Sequence, residues 1–162
     1  MDLRRLGLGE WLAAASGVAL LLSLFLPWYD FATPFHDART GWTTYAPFGS
    51  FSGWEALSAI DVLLALVAAS GVLLAIVTAV QGVPAVPVAL SALIALFGGI
   101  GVVFVLIRVL FIPDWASGRA WGLWLGLAGS LGIVIGSFIS MRDEIRPDAR
   151  EPDLDLIPAP RP

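Results

Sequence analysis

The chain of 162 residues is 58% hydrophobic and only 14% charged, with a net charge of −4; soluble domains run at roughly 45–50% apolar and about 25% charged, so there is too little polar sequence to cover a water-soluble core. No Cys is present, which excludes disulfides, thiolate catalysis and Cys-based metal sites. The acidic balance speaks against nucleic acid, whose phosphates call for a basic surface.

Mean hydropathy is +0.86, and four long apolar stretches carry it. A helix crosses the hydrocarbon in ~20 residues, and we read spans at about 8–27, 56–80, 88–112 and 120–141. The first follows Arg4 and Arg5 as a signal peptide would. It runs into Pro27-Trp28-Tyr29, which is no small-x-small cleavage site, so it is expected to be retained. The loop at 28–55 comes next and is rich in aromatic residues. Between Trp28 and Trp54 lie three of the seven Trp, both Tyr, four of the nine Phe and the single His. Thr40 to Tyr45 has the β-branched and aromatic content of a strand, and Pro34, Pro47, Gly41, Gly49 and Gly53 punctuate the loop with turns. A short β-hairpin capping the bundle is expected there. After the second span, Pro84 and Pro87 predict a tight turn at 81–87. The tail at 142–162 holds five Pro, six acidic residues and four Arg, so it is expected to be disordered.

Orientation follows from the nine basic residues, all Arg. With both termini inside, Arg4, Arg5, Arg142, Arg146, Arg150 and Arg161 are cytoplasmic, while Arg39 and Arg119 lie outside. The absence of Lys, with abundant Ala, Gly and Pro, points to a GC-rich bacterial genome and so to a bacterial inner membrane.

Asp61 and Arg108 are the charges well inside the expected spans, at depths of ~8 Å and ~6 Å by helical rise. Charge in lipid is costly and usually pairs or faces water, so an ion pair between the second and third spans is expected, with independent snorkelling or a role in ion or proton coupling as the alternatives. Trp28, Tyr29, Trp42, Tyr45 and Trp54 form a candidate partner or lipid surface, because Trp and Tyr supply large rigid contact area; aromatic belts at the membrane interface are the plainer reading. Gly122, Gly126, Gly132 and Gly136 belong to small-residue rows that let helices approach closely, within one chain or between copies. Glu10 and Glu55 stand at helix starts, where the helix dipole is a sufficient reason for a carboxylate. With one His, two-His metal ligation is impossible. Gly49-Ser50-Phe51-Ser52-Gly53 puts Phe where a nucleophile elbow needs Ser. No catalytic or cofactor site is expected.

Leu26-Pro27-Trp28-Tyr29, Ser52-Gly53-Trp54-Glu55-Ala56-Leu57 and Ser140-Met141-Arg142-Asp143-Glu144 resemble a pattern in small uncharacterised four-helix membrane proteins of GC-rich bacteria. The resemblance implies a four-helix fold and no assigned activity. In architecture alone the chain also resembles claudins. Their loop Cys pair and Trp–Gly-Leu-Trp motif are missing from the first loop, and Gly122-Leu123-Trp124 lies in the fourth span, so their function is not carried over.

The expected protein is therefore an all-α integral membrane bundle of four transmembrane helices in domain 1–141, multi-pass in the cell membrane with both termini cytoplasmic. Its expected role is structural or accessory and not enzymatic, with no cofactor. It would bind membrane lipid or another membrane protein through the outer loop, and a second copy of itself through the small residues of the fourth span. The alternative is a small transporter or channel subunit working as an oligomer.

Overall fold

A computed structural model of the chain describes residues 6–57, 59–80 and 85–145. It is mainly helical, with one small sheet. Helix α1 covers Leu8–Ser23, α3 Ala59–Val80, α4 Ala85–Leu110 and α5 Trp121–Ile145, and a single turn, α2, covers Gly53–Leu57. Strands β1 (Pro27–His36) and β2 (Thr43–Ser52) pair antiparallel, and two residues of β3 (Gly118–Arg119) extend the sheet on the far side of β1, in the order β2-β1-β3.

Three helices are long and apolar enough to cross a membrane: Ala59–Val80, Leu90–Leu110 and Trp121–Arg142. They mark a membrane protein, and their outward side chains agree. Leu66, Leu96 and Phe138 stay 66%, 63% and 58% exposed, a pattern repeated around the bundle that water would penalise.

The first expected span is shortened. Helix α1 has 16 residues, ~24 Å by helical rise against a hydrocarbon core of ~30 Å. Its last turn tightens, with Leu24, Phe25 and Leu26 donating their N–H groups to carbonyls three residues back. Pro27 then ends the helix, having no N–H to continue it. The expected loop at 28–55 is a pair of ten-residue strands followed by α2. Glu55 accepts from both the backbone N–H and the hydroxyl of Ser52, each at 2.9 Å. This is the carboxylate half of a capping box, and these bonds hold Glu55 below its ordinary range. Helix α4 begins at Ala85, so Pro87 lies in its first turn, where the missing N–H has no helical partner to lose. The rest of the expected turn, 81–84, lies outside the described residues, as does the tail from 146 onward; 142–145 continue α5.

The four long helices run up and down in chain order. Helix α1 packs against both α3 and α5, and α4 closes the ring between α5 and α3. Small residues set the distances. A Cβ on Gly136 would meet the Ala13 backbone nitrogen at 2.5 Å and the Gly9 carbonyl oxygen at 2.7 Å. One on Gly129 would meet Leu20 N at 2.8 Å, and one on Gly126 the Trp28 ring at 2.9 Å. Gly132 faces Ser16, and Gly122 faces the Pro27 carbonyl. The glycine row of α5 is thus filled along its length by α1 and the start of β1, so this face is occupied within the chain. Gly71 and Gly98 serve α3–α1 and α4–α5 contacts in the same way, against the Ala13 carbonyl and Val134. Gly99, by contrast, has nothing within 4 Å of its would-be Cβ.

The buried interior falls into two clusters. One holds Ala13, Leu20, Val67, Ala68, Leu74, Ile94 and Ile133 in the bundle; the other holds Leu24, Trp28, Tyr29, Leu64, Val105 and Leu123 beneath the sheet. We expect Gly136→Ala to lower unfolding stability by about 2–3 kcal/mol, since backbone cannot yield to the added methyl as a side chain would. Gly99→Ala should be neutral or slightly stabilising, because it adds helix propensity in open space. Thermal unfolding of the two variants in one detergent checks both.

Candidate functional site

The hairpin has a fixed base and a free tip. At the base, a bulge falls at Trp28: Pro27 pairs with Ser52 and Tyr29 with Phe51, leaving Trp28 as the extra residue. Consecutive strand residues normally point to opposite faces. The bulge breaks that alternation, and both Trp28 and Tyr29 are fully buried. Trp28 Nε1 donates to the Ser23 carbonyl at 2.7 Å, and the Tyr29 hydroxyl donates to the Arg108 carbonyl at 3.0 Å. Burial pushes the Tyr29 phenol above its usual range, while the charges of Arg108 and Arg119 oppose that rise.

Strand β3 fastens the same residues from the other side. Tyr29 and Asp30 pair with Arg119 and Gly118. The Asp30 carbonyl accepts from the Ser117 N–H at 2.8 Å and its hydroxyl at 3.0 Å, and Ala120 N–H donates to the Trp28 carbonyl at 2.9 Å. Arg119 Nε donates to the Val109 carbonyl at 2.6 Å. Aromatic edges complete the clamp. Trp115 meets Tyr29 at 5.6 Å and Phe51 at 5.0 Å, both nearly perpendicular, and Phe31 lies 5.0 Å from Phe51.

Trp28 and Tyr29 therefore leave the expected partner surface: they anchor the hairpin and face no partner. Trp42 and Tyr45 remain, 76% and 72% exposed, near the tip. Trp54 is 38% exposed at the base and leans on Phe25 at 5.9 Å. The tip itself is well fixed. Asp37 N–H donates to the Trp42 carbonyl at 3.0 Å and Gly41 N–H to the Asp37 carbonyl at 2.9 Å. The Asp37 carboxylate accepts from Arg39 N–H and the Thr40 hydroxyl, each at 2.9 Å. These bonds, the Arg39 one foremost, hold Asp37 below the usual carboxylate range. Gly41 takes φ 72°, a left-handed conformation that suits glycine at this turn.

Asp61 and Arg108 do not form the expected ion pair. Asp61 is 1% exposed, and neither carboxylate oxygen has a hydrogen-bond partner. Arg108 is close enough for its charge to act on Asp61, yet no salt bridge joins them among the described residues. The two helices are adjacent, as the expectation requires, but the carboxylate is buried without reaching the guanidinium.

A second polar cluster, at the other end of the bundle, involves Glu10. The sequence offers the helix dipole as its reason, but Glu10 is 5% exposed and bonded across helices. The Ser140 hydroxyl donates to Glu10 Oε1 at 2.7 Å, and Ser91 Oγ lies 3.3 Å from Ser140 Oγ. Glu10 Oε2 has no partner, nor does the buried Thr78 hydroxyl on α3. Leaving a buried acceptor unpaired costs about 1–3 kcal/mol, and more for a charged group. The available signal was Ser140 and Gly136 at spacing four on the face that meets α1, opposite Gly9. No group of three or more metal-ligating side chains occurs among the described residues. Between α3 and α4 a lateral crevice of about 420 Å³ is lined by Val62, Leu66, Ser70, Phe97 and neighbours. Its one hydroxyl, on Ser70, is already donated to the Val67 carbonyl.

No family model, curated protein or solved structure matches this chain.

Asp61→Asn should change stability by less than about 1 kcal/mol, since no bond is lost; breaking a buried ion pair would cost about 3–5 kcal/mol. Denaturant unfolding in mixed micelles, with Arg108→Gln and the double variant alongside, distinguishes the two.

Proposed function

We propose that this chain is a four-span accessory protein of a bacterial inner membrane, multi-pass, with both termini cytoplasmic. It binds a partner protein or lipid outside the membrane through the tip of its hairpin. In this reading α1 is the first span, the sheet is extracytoplasmic and the protein is not an enzyme. The four-helix resemblance of the Leu26-Pro27-Trp28-Tyr29 pattern belongs to the same proposal.

The observation that carries it is the contrast between base and tip. From Tyr29 to His36 the strand reaches ~23 Å at the usual rise. It is clamped by five hydrogen bonds at its base yet presents Trp42 and Tyr45 bare at its far end. A two-stranded ribbon gains little stability from itself, and exposed Trp and Tyr on a rigid turn are the residues that most often dominate binding energy.

A second reading, a transporter or channel subunit working as an oligomer, draws support from the buried and partly unpaired acids Glu10 and Asp61, since intramembrane acids commonly mark ion or proton paths. Leu20, Val67, Leu74, Ile94 and Ile133 fill the interior between them, so any path would run between copies.

The chain contains no Cys, so single introduced thiols report topology cleanly. Thr43→Cys should react with a membrane-impermeant maleimide in intact spheroplasts, and a Cys placed after Pro162 should react only on lysis; the reverse pattern overturns the orientation. In native-membrane extraction, a stoichiometric protein or lipid should co-purify and fall at least tenfold in Trp42→Ala/Tyr45→Ala while the fold is kept. A homo-oligomer with nothing bound would instead favour the transport reading.

A further inference from the structure

Glu10, Ser140 and Ser91 come from three different helices, α1, α5 and α4, and meet inside the bundle. Ser140 has one hydroxyl proton, and Glu10 Oε1 takes it at 2.7 Å. The 3.3 Å contact between Ser140 and Ser91 must then have Ser91 as donor. The three groups form a directed chain that ends on the carboxylate, whose second oxygen, Oε2, accepts nothing.

The direction of that chain is reversible. Hydroxyl protons rotate to suit their partners. When Glu10 gains a proton, it can donate through Oε1 to Ser140 and Ser140 to Ser91. The Ser91 proton then turns to a carbonyl of its own helix, a bond that helical Ser commonly makes. One proton enters at the carboxylate and one leaves on release; no covalent bond other than that O–H forms or breaks. The chain of two hydroxyls can thus bond Oε1 in either state, while Oε2 stays unpartnered and open to a proton.

We propose that Glu10, relayed through Ser140 to Ser91, is a proton-binding site of this protein. It takes up and releases one proton per chain at the end of the bundle where α1 begins. Among the described residues, the groups at this end of the bundle give the carboxylate no competing ion. Helix α5 presents Ser140 and, two residues on, the exposed Arg142; α4 presents Ser91; α3 presents the unpaired Thr78 hydroxyl. Among the described residues no cationic side chain forms a salt bridge to Glu10. Toward the sheet, the apolar cluster of Leu20, Val67, Leu74, Ile94 and Ile133 closes the interior. The site therefore exchanges protons with one side of the membrane, whether or not the hairpin binds a partner.

Infrared difference spectroscopy of the full chain in nanodiscs, titrated between acid and neutral pH, tests this. A carboxylic C=O band should appear on acidification and vanish in Glu10→Gln. In Ser140→Ala the band should shift in frequency, because the carboxyl then lacks the hydroxyl that its own O–H meets across the helices; Ser91→Ala should shift it in the same direction by less. If Glu10→Gln does not fold, Glu10→Asp, which keeps the carboxyl and shortens its reach to Ser140, should shift the band frequency. No band assignable to Glu10, or a band unchanged in frequency by Ser140→Ala, overturns the proposal. So does a band that fails to appear on acidification when sodium replaces choline at constant ionic strength, which would make the ligand a metal cation.

Discussion

The close approach of α1 to α5 governs the rest of the molecule. Gly122, Gly126, Gly129, Gly132 and Gly136 leave a groove along α5 that admits the α1 backbone itself. In lipid there is no hydrophobic drive to bring two apolar helices together, so contact of this kind, backbone against backbone, supplies the attraction. Both polar ends of the bundle follow from it. At one end Gly9 lies against the Ser140 backbone and carries Glu10 in beside the Ser140 hydroxyl. At the other, the Trp28 ring occupies the space over Gly126, and the strand leaves the bundle across Gly122.

Much of the helical layout could be read from residues alone, because length, apolarity and small-residue spacing act locally. The glycine row of α5 is an example: spacing four puts it on one face whatever the neighbour. The neighbour itself could not be read. Hydrophobic side chains surround every span, so periodicity does not say which face turns inward, and Glu10 looked like an ordinary first-turn acid. The same ambiguity applies to Asp61 and Arg108, which lie on adjacent helices yet do not pair. Trp28 and Tyr29 illustrate a different limit. Alternation along a strand would expose one of them, and a bulge, which depends on pairing with residues more than twenty positions away, buries both.

The interior arranges its polar groups by end. Most buried hydroxyls are satisfied within their own helix, as Ser23, Ser130 and Ser137 are by carbonyls three or four residues earlier. Ser140 and Ser91 are the departures, since their protons cross to other helices. Such crossings in a membrane interior are modest in strength but fix which helices sit together and in what register. A bundle held mainly by small-residue contact gains from these two directional bonds a defined stagger between α1, α4 and α5.

The shortness of α1 has a consequence for the lipid. In the four-span arrangement, three helices match or exceed the hydrocarbon thickness, while α1 gives way to strand after ~24 Å. Bare sheet edges are not tolerated in hydrocarbon. Just past Pro27 and Trp28, at Tyr29 and Asp30, β1 is flanked on both sides, by β2 and by β3. The two residues of β3 thus act as a local waterproofing of the peptide backbone, and they let the sheet begin lower on the α1 side than elsewhere. In that four-span arrangement the bilayer would meet a protein of uneven height, and its leaflet would dip beside α1, a deformation that favours thinner membranes and neighbours able to share the depression.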